Sequence, residues 1–160
     1  MNMQNFAQIV LDQFKFLISD YGFKRSKKRK HPWGYEFIFV NNTTGIRITY
    51  EYRETFLFIR LYKLVNGELI ENSYPIKNNT VLHSFYLDDI VSIRNPKAAM
   101  YPLSGYSDDS EFHNKEHGLS LYVSRFAENL KTYAEDVLTG NFELFTELDQ
   151  IVKKRAKQAR

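Results

Sequence analysis

Between residues 6 and 21 the apolar side chains Phe6, Ile9, Val10, Phe14, Leu17, Ile18 and Tyr21 recur three or four positions apart. That spacing places them on one face of a helix, and Gly22 follows as the left-handed residue that ends one. The pattern changes after a basic stretch. Pro32, Trp33 and Gly34 read as a turn, and residues 35–41 are rich in the aromatic and β-branched types that strands favour. A second turn over 42–45 leads into Ile46, Ile48, Tyr50 and Tyr52, alternating with Arg47, Thr49, Glu51 and Arg53. Period two predicts a strand with one apolar and one wet face. Residues 56–65 are apolar on nearly both faces and read as a central or doubly covered strand. Asn66-Gly67 is a hairpin signal, so residues 69–76 are expected to run back antiparallel and end near Pro75.

Residues 78–95 allow two readings. Leu82, Phe85, Tyr86 and Ile90 fit a short helix, while Asp88 and Asp89 could equally cap a helix starting after them. Residues 96–118 hold Pro102, two glycines, several serines and few apolar side chains, which predicts a long irregular loop. Loops of that length are more often functional or mobile than incidental. Helical spacing returns over 119–138 and ends at Gly140. Asn141 then caps a last helix whose Phe142, Phe145, Leu148, Ile151 and Val152 share a face. The order predicts one α+β domain over 1–160: an antiparallel β-meander of about four strands, with N-terminal and C-terminal helices packed on one face.

Composition narrows the chemistry. With 13 Phe, 11 Tyr and 43% hydrophobic residues the chain reads as a folded globule. It has no cysteine, which excludes disulfides, thiolate nucleophiles and Cys-ligated metals and makes the cytoplasm the natural compartment. The N-terminus lacks a basic leader region, and no apolar run approaches the roughly 18 residues of a membrane span, so no membrane association is expected. The formal charge of +3 conceals a segregation. Lys24, Arg25, Lys27, Lys28, Arg29 and Lys30 form one acid-free cluster, and Lys153, Lys154, Arg155, Lys157 and Arg160 form another. Setting those 11 aside leaves 11 basic residues against 19 acids, a formal charge of −8 over the rest of the chain.

Catalytic signatures are weak. His113, Glu116 and His117 spell H-x-x-E-H, the inverted zincin order, which on a helix would set both histidines on one face around a zinc. The string sits in a polar stretch closed by Gly118, so two solvated histidines are the plainer reading. Asp88-Asp89 resembles a paired-carboxylate site, but adjacent residues rarely face the same way and a helix cap is the commoner use. No nucleophile elbow or phosphate-binding glycine array is present. No catalytic residue, metal or cofactor is therefore expected. The basic cluster 24–30, followed by Trp33, Tyr35 and Phe37, suits nucleic acid through counterion release and base stacking. It opens the first strand pair and would serve equally as a charged edge. The acidic counterpart is Asp108, Asp109, Glu111 and Glu116, just after Tyr101 and Tyr106. Rings for anchoring beside carboxylates for steering suit docking on a basic protein.

The stretch Gly45-Ile-Arg-Ile-Thr-Tyr-Glu-Tyr-Arg53, the run Leu87-Asp-Asp-Ile90 leading to Arg94-Asn-Pro96, and the closing helix pair around Gly140 resemble bacterial immunity proteins of contact-dependent growth-inhibition and related toxin systems. The resemblance implies a cytoplasmic, non-catalytic inhibitor that binds a cognate toxin domain one to one. Joined to the charge pattern, it nominates Tyr101, Tyr106, Asp108, Asp109, Glu111 and Glu116 as the contact loop for a basic toxin. The alternative is a nucleic-acid-binding module centred on Lys24, Arg25, Lys27, Lys28, Arg29 and Lys30.

Overall fold

The computed structural model describes residues 3–159, with side chains from residue 6. Two helices open the chain, α1 (Met3–Gln13) and α2 (Lys15–Tyr21). The single helix expected there is broken for one residue at Phe14, whose N–H still reaches the Val10 carbonyl at 2.9 Å. Phe6, Val10, Phe14 and Leu17 are all fully buried, so the apolar face continues across the break. Gly22, at φ +70°, ends α2.

Five strands follow as one antiparallel sheet: β1 (Lys24–His31), β2 (Gly34–Val40), β3 (Thr44–Glu51), β4 (Phe56–Lys63) and β5 (Ser84–Tyr86), each beside its neighbour in the chain. The meander thus has five strands where about four were expected: the basic cluster and residues 84–86 are strands as well, and the strand expected over 69–76 is not. The basic strand pairs with β2 from Lys24↔Val40 to His31↔Gly34, with a bulge between Arg25 and Lys27.

After β5 come α3 (Leu87–Arg94), α4 (Gly118–Tyr133), α5 (Glu135–Leu138) and α6 (Leu144–Gln158). The helices lie on one face of the sheet, making this an α+β fold. Alternation sends Phe37, Phe39, Ile46, Ile48, Tyr50, Leu57, Ile59 and Leu61 to that face, where they meet α1 and α4 in a single core. Phe6 is central, with its ring 4.2 Å from Tyr50 and 6.2 Å from Phe37. Truncating such a buried ring to alanine costs about 3–5 kcal/mol. Among the described residues no helix is long and apolar enough to cross a membrane.

The expected strand over 69–76 does not form. Asn66 and Gly67 adopt the left-handed turn their types favour, at φ +52° and +80°, but the ladder stops at the single bridge Val65↔Glu68. The far edge of β4 pairs instead with β5, whose Phe85 adds a buried ring to the core. Residues 69–76 have no comparable ring for that face, and their polar side chains bind the opposite one. Glu71 accepts from the Tyr62 hydroxyl at 2.7 Å and from Arg47 at 2.9 Å, while the Asn72 amide donates to the Ser84 carbonyl at 3.0 Å. Residues 64–83 are thus a strap over the helix-free face, with Leu69 seated directly above Gly45.

Of the two readings of 78–95, the structure gives a strand and then a helix from Leu87, with Asp88 and Asp89 inside its first turn. The expected helix over 119–138 is divided at Ala134 into α4 and α5. Gly140 is left-handed at φ +94° and packs against Thr43. Asn141 accepts from the Glu143 N–H at 3.0 Å, so it caps the turn that precedes α6 and not the helix itself.

Candidate partner-binding surface

The long loop between α3 and α4 is irregular but not loose. Three short 3-10 turns, Pro96–Ala98, Leu103–Gly105 and Glu111–His113, punctuate it. Its entry is clamped by Arg94, which grips Asp136 with two hydrogen bonds of 2.7 and 2.9 Å. The same guanidinium holds the Asp136 carboxyl below the usual carboxylate range. The Asn129 amide donates to the Ala98 carbonyl at 2.9 Å, and the Leu103 N–H reaches the Thr55 carbonyl at 3.0 Å. At the exit the loop closes on Gly118, where any side chain would collide with the Phe112 carbonyl.

Aromatic rings hold the middle of the loop. Tyr106 lies edge-on to Phe112 at 4.9 Å and to Tyr122 at 6.3 Å, and Phe112 lies 5.4 Å from Tyr122. The Tyr122 hydroxyl donates to the Tyr101 carbonyl at 2.6 Å, and the Tyr106 hydroxyl accepts from the Tyr101 N–H at 3.1 Å. Burial raises the pKa of Tyr106 and of Tyr122 above the ordinary tyrosine value. Tyr106, nominated as a contact residue, is therefore chiefly an internal anchor. Tyr101 has its N–H and its carbonyl both bonded and is 57% exposed, an aromatic presented to solvent from a fixed backbone.

Asp108, Asp109, Glu111 and Glu116 are all exposed on the same loop. Asp109 is fixed by the Ser107 hydroxyl, and Glu111 pairs with Arg125 at 3.4 Å. An exposed pair of that kind contributes little to stability, so Glu111 is available to a partner at small cost. Beside these acids lies a cleft of about 510 Å³, with Ile9, Leu103, Phe112 and Leu119 among its lining residues and His113, Lys115 and Glu116 also at its wall. Sequence reasoning missed the cleft because Ile9, Thr55, Leu103 and Leu119 belong to four separate elements. No signal in the sequence joins these four positions.

The other nominated groups are arranged differently. His113 lies in the third 3-10 turn with Nε2 3.3 Å from the Tyr106 carbonyl, and His117 precedes α4, so no helix aligns the H-x-x-E-H string. Among the described residues no group of three or more His, Asp or Glu side chains is placed to hold a metal. The six cations 24–30 are exposed along the outer edge of the sheet. Strand alternation sends Lys28 and Lys30 to one face and Lys27 and Arg29 to the other, so the cluster forms an edge and not a one-sided groove. Of the rings that follow it, Tyr35 and Phe37 are buried, and Trp33 is 44% exposed but stacked on His31 at 4.5 Å.

Asp88 and Asp89 diverge. Asp89 pairs with Arg155 of α6 at 2.9 Å, whereas Asp88 turns inward, its Oδ1 buried and without a hydrogen-bond partner among the described residues. Burial, aided by the charge of Asp89, pushes the Asp88 carboxyl up to about 6, against the pull of the nearby Met100 N–H. Comparison of the chain with protein-family models, with curated proteins and with solved structures found no match.

Proposed function

We propose that this protein is a non-catalytic inhibitor of the immunity type, which acts in the cytoplasm by binding a cognate basic toxin domain and occluding its active site. The observation that carries this reading is the construction of the loop over 101–116. Its shape is set by rings turned inward, so Tyr101 and four carboxylates can face a partner without further ordering. Preorganisation of that kind reduces the entropy lost on association. The carboxylates supply long-range steering toward a basic surface, and the adjoining cleft, part apolar and part polar, accepts a side chain beside them.

The test is to capture the partner from a nuclease-treated lysate and then measure its association with the triple variant Asp108→Lys, Asp109→Lys, Glu111→Lys. The expected result is an association rate lower by about tenfold or more, with the salt dependence reduced or reversed and the folded state unchanged. Unchanged affinity removes the loop from the reading. The exposure of all six cations on β1 favours a second reading, a nucleic-acid-binding module. It requires affinity for single-stranded or duplex nucleic acid that falls steeply with salt and is lost when Lys24, Arg25, Lys27, Lys28, Arg29 and Lys30 are neutralised.

A further inference from the structure

A second, smaller cleft of about 200 Å³ lies where the start of β4 meets β5, α3, α4 and α6. Phe126, Phe56, Phe58 and Tyr86 follow one another along it, with successive ring centroids 6.4, 4.4 and 6.2 Å apart. Asp88, Asp89 and Arg155 also line it. Arg155 neutralises Asp89 and leaves Asp88 as the unbalanced member of the pair.

We infer that this cleft is a subsite for one organic cation, the guanidinium of an arginine side chain of the basic partner proposed above. Three observations converge. The ring faces carry the negative side of the aromatic quadrupole, which attracts a desolvated cation. Asp88 lines the cleft, and although the Met100 N–H pulls on its carboxyl, its buried Oδ1 has no hydrogen-bond partner among the described residues, so a guanidinium N–H that reached it would supply the missing donor. The chain itself already sets guanidinium groups on both kinds of wall: Arg60 Cζ lies 4.3 Å over the Tyr86 ring, and Arg155 sits on Asp89. A cleft of about 200 Å³ suits a single side chain.

Naming an arginine of the partner rests on the immunity reading; the cleft itself can be tested without it. The probe is N-acetyl-arginine amide, titrated into the full chain while the aromatic carbon-bound protons of Phe56, Phe58, Tyr86 and Phe126 are followed by NMR. N-acetyl-citrulline amide, which has nearly the same shape and no charge, is the control. Saturable shifts are expected with the arginine probe at pH 7.5, with affinity at least about tenfold weaker for citrulline and for Asp88→Asn. Arg155→Gln, which exposes Asp89, should tighten binding about threefold. No saturable shift, or an equal response to citrulline, overturns the inference. Asp88→Asn keeps the shape of the side chain, and its thermal unfolding curve verifies that lost binding is not lost fold. A protein that binds the arginine probe but captures no basic partner keeps the cleft and loses the immunity reading. A captured basic partner with no response to the probe does the reverse.

Discussion

Two long irregular segments flank the ordered core, and they use charge in opposite ways. The strap over 64–83 turns its polar groups onto the sheet: Glu71 binds Tyr62 and Arg47, Asn72 binds Ser84, and Tyr74 meets Arg60. The loop over 96–117 is held by Tyr106, Phe112 and Tyr122 and keeps its carboxylates outside. A segment fastened by its own ionic groups has few left for a partner. One fastened by rings leaves its carboxylates exposed.

That contrast can be broken most severely at Phe112. Phe112→Ala removes the ring between Tyr106 and Tyr122 and should destabilise the protein by about 3–5 kcal/mol, read from chemical denaturation. Affinity for the proposed partner should fall with it, because Tyr101 loses its fixed backbone. Asp88 gives the next largest effect, with opposite sign. Its folded pKa is raised from 3.8 to about 6, so the folded state binds a proton more readily than the unfolded chain. The cost of its charge is present in full above pH 6 and disappears as pH falls toward 4. Its ionisable neighbours are Asp89 on the same helix, Arg155 on α6, Tyr106 in the loop and Tyr122 on α4. Asp88→Asn should therefore stabilise the protein by about 1–3 kcal/mol at pH 7.5 and by little at pH 4, measured by denaturation at both values.

On the strap, Glu71→Gln weakens two charge-assisted bonds and should cost about 1–2 kcal/mol, with faster hydrogen exchange confined to residues around 69–76. Partner affinity should not change, since Glu71 is already bound by Tyr62 and Arg47. The smallest effect belongs to the outer loop. Asp108→Lys with Asp109→Lys should alter stability by less than about 0.5 kcal/mol while slowing association. A large loss of stability there would mean that the loop, like the strap, is held by its acids.

The sequence revealed strands wherever period two was sharp. Ile46, Ile48 and Tyr50 point inward as their alternation required, and Gly22 and Gly140 end helices as their spacing implied. The failure at 69–76 has a local cause: Asn66-Gly67 specifies a turn but not the strand after it, and the edge of β4 went to the segment carrying Phe85. Exposure of the acidic loop was legible from its composition. The inward turn of Tyr106 was not, because its ring partners Phe112 and Tyr122 are separated from it by a turn and by the start of α4. Likewise Asp88 and Asp89 look equivalent in sequence and are divided only by Arg155, which arrives 66 residues after Asp89.

Because every strand pairs with its neighbour in the chain, the first four can close through turns of a few residues each, and such local closures cost little entropy. The layers join through distant contacts, such as Thr44 to the Val137 carbonyl at 2.7 Å across 93 residues. Contacts of long sequence separation slow folding, so the helices and not the sheet should set its pace. Substitutions in the β2–β3 turn should then act mainly on the refolding rate, and those where α4 meets the sheet on both the refolding and the unfolding rate, a division that stopped-flow measurements on both sets would reveal or abolish.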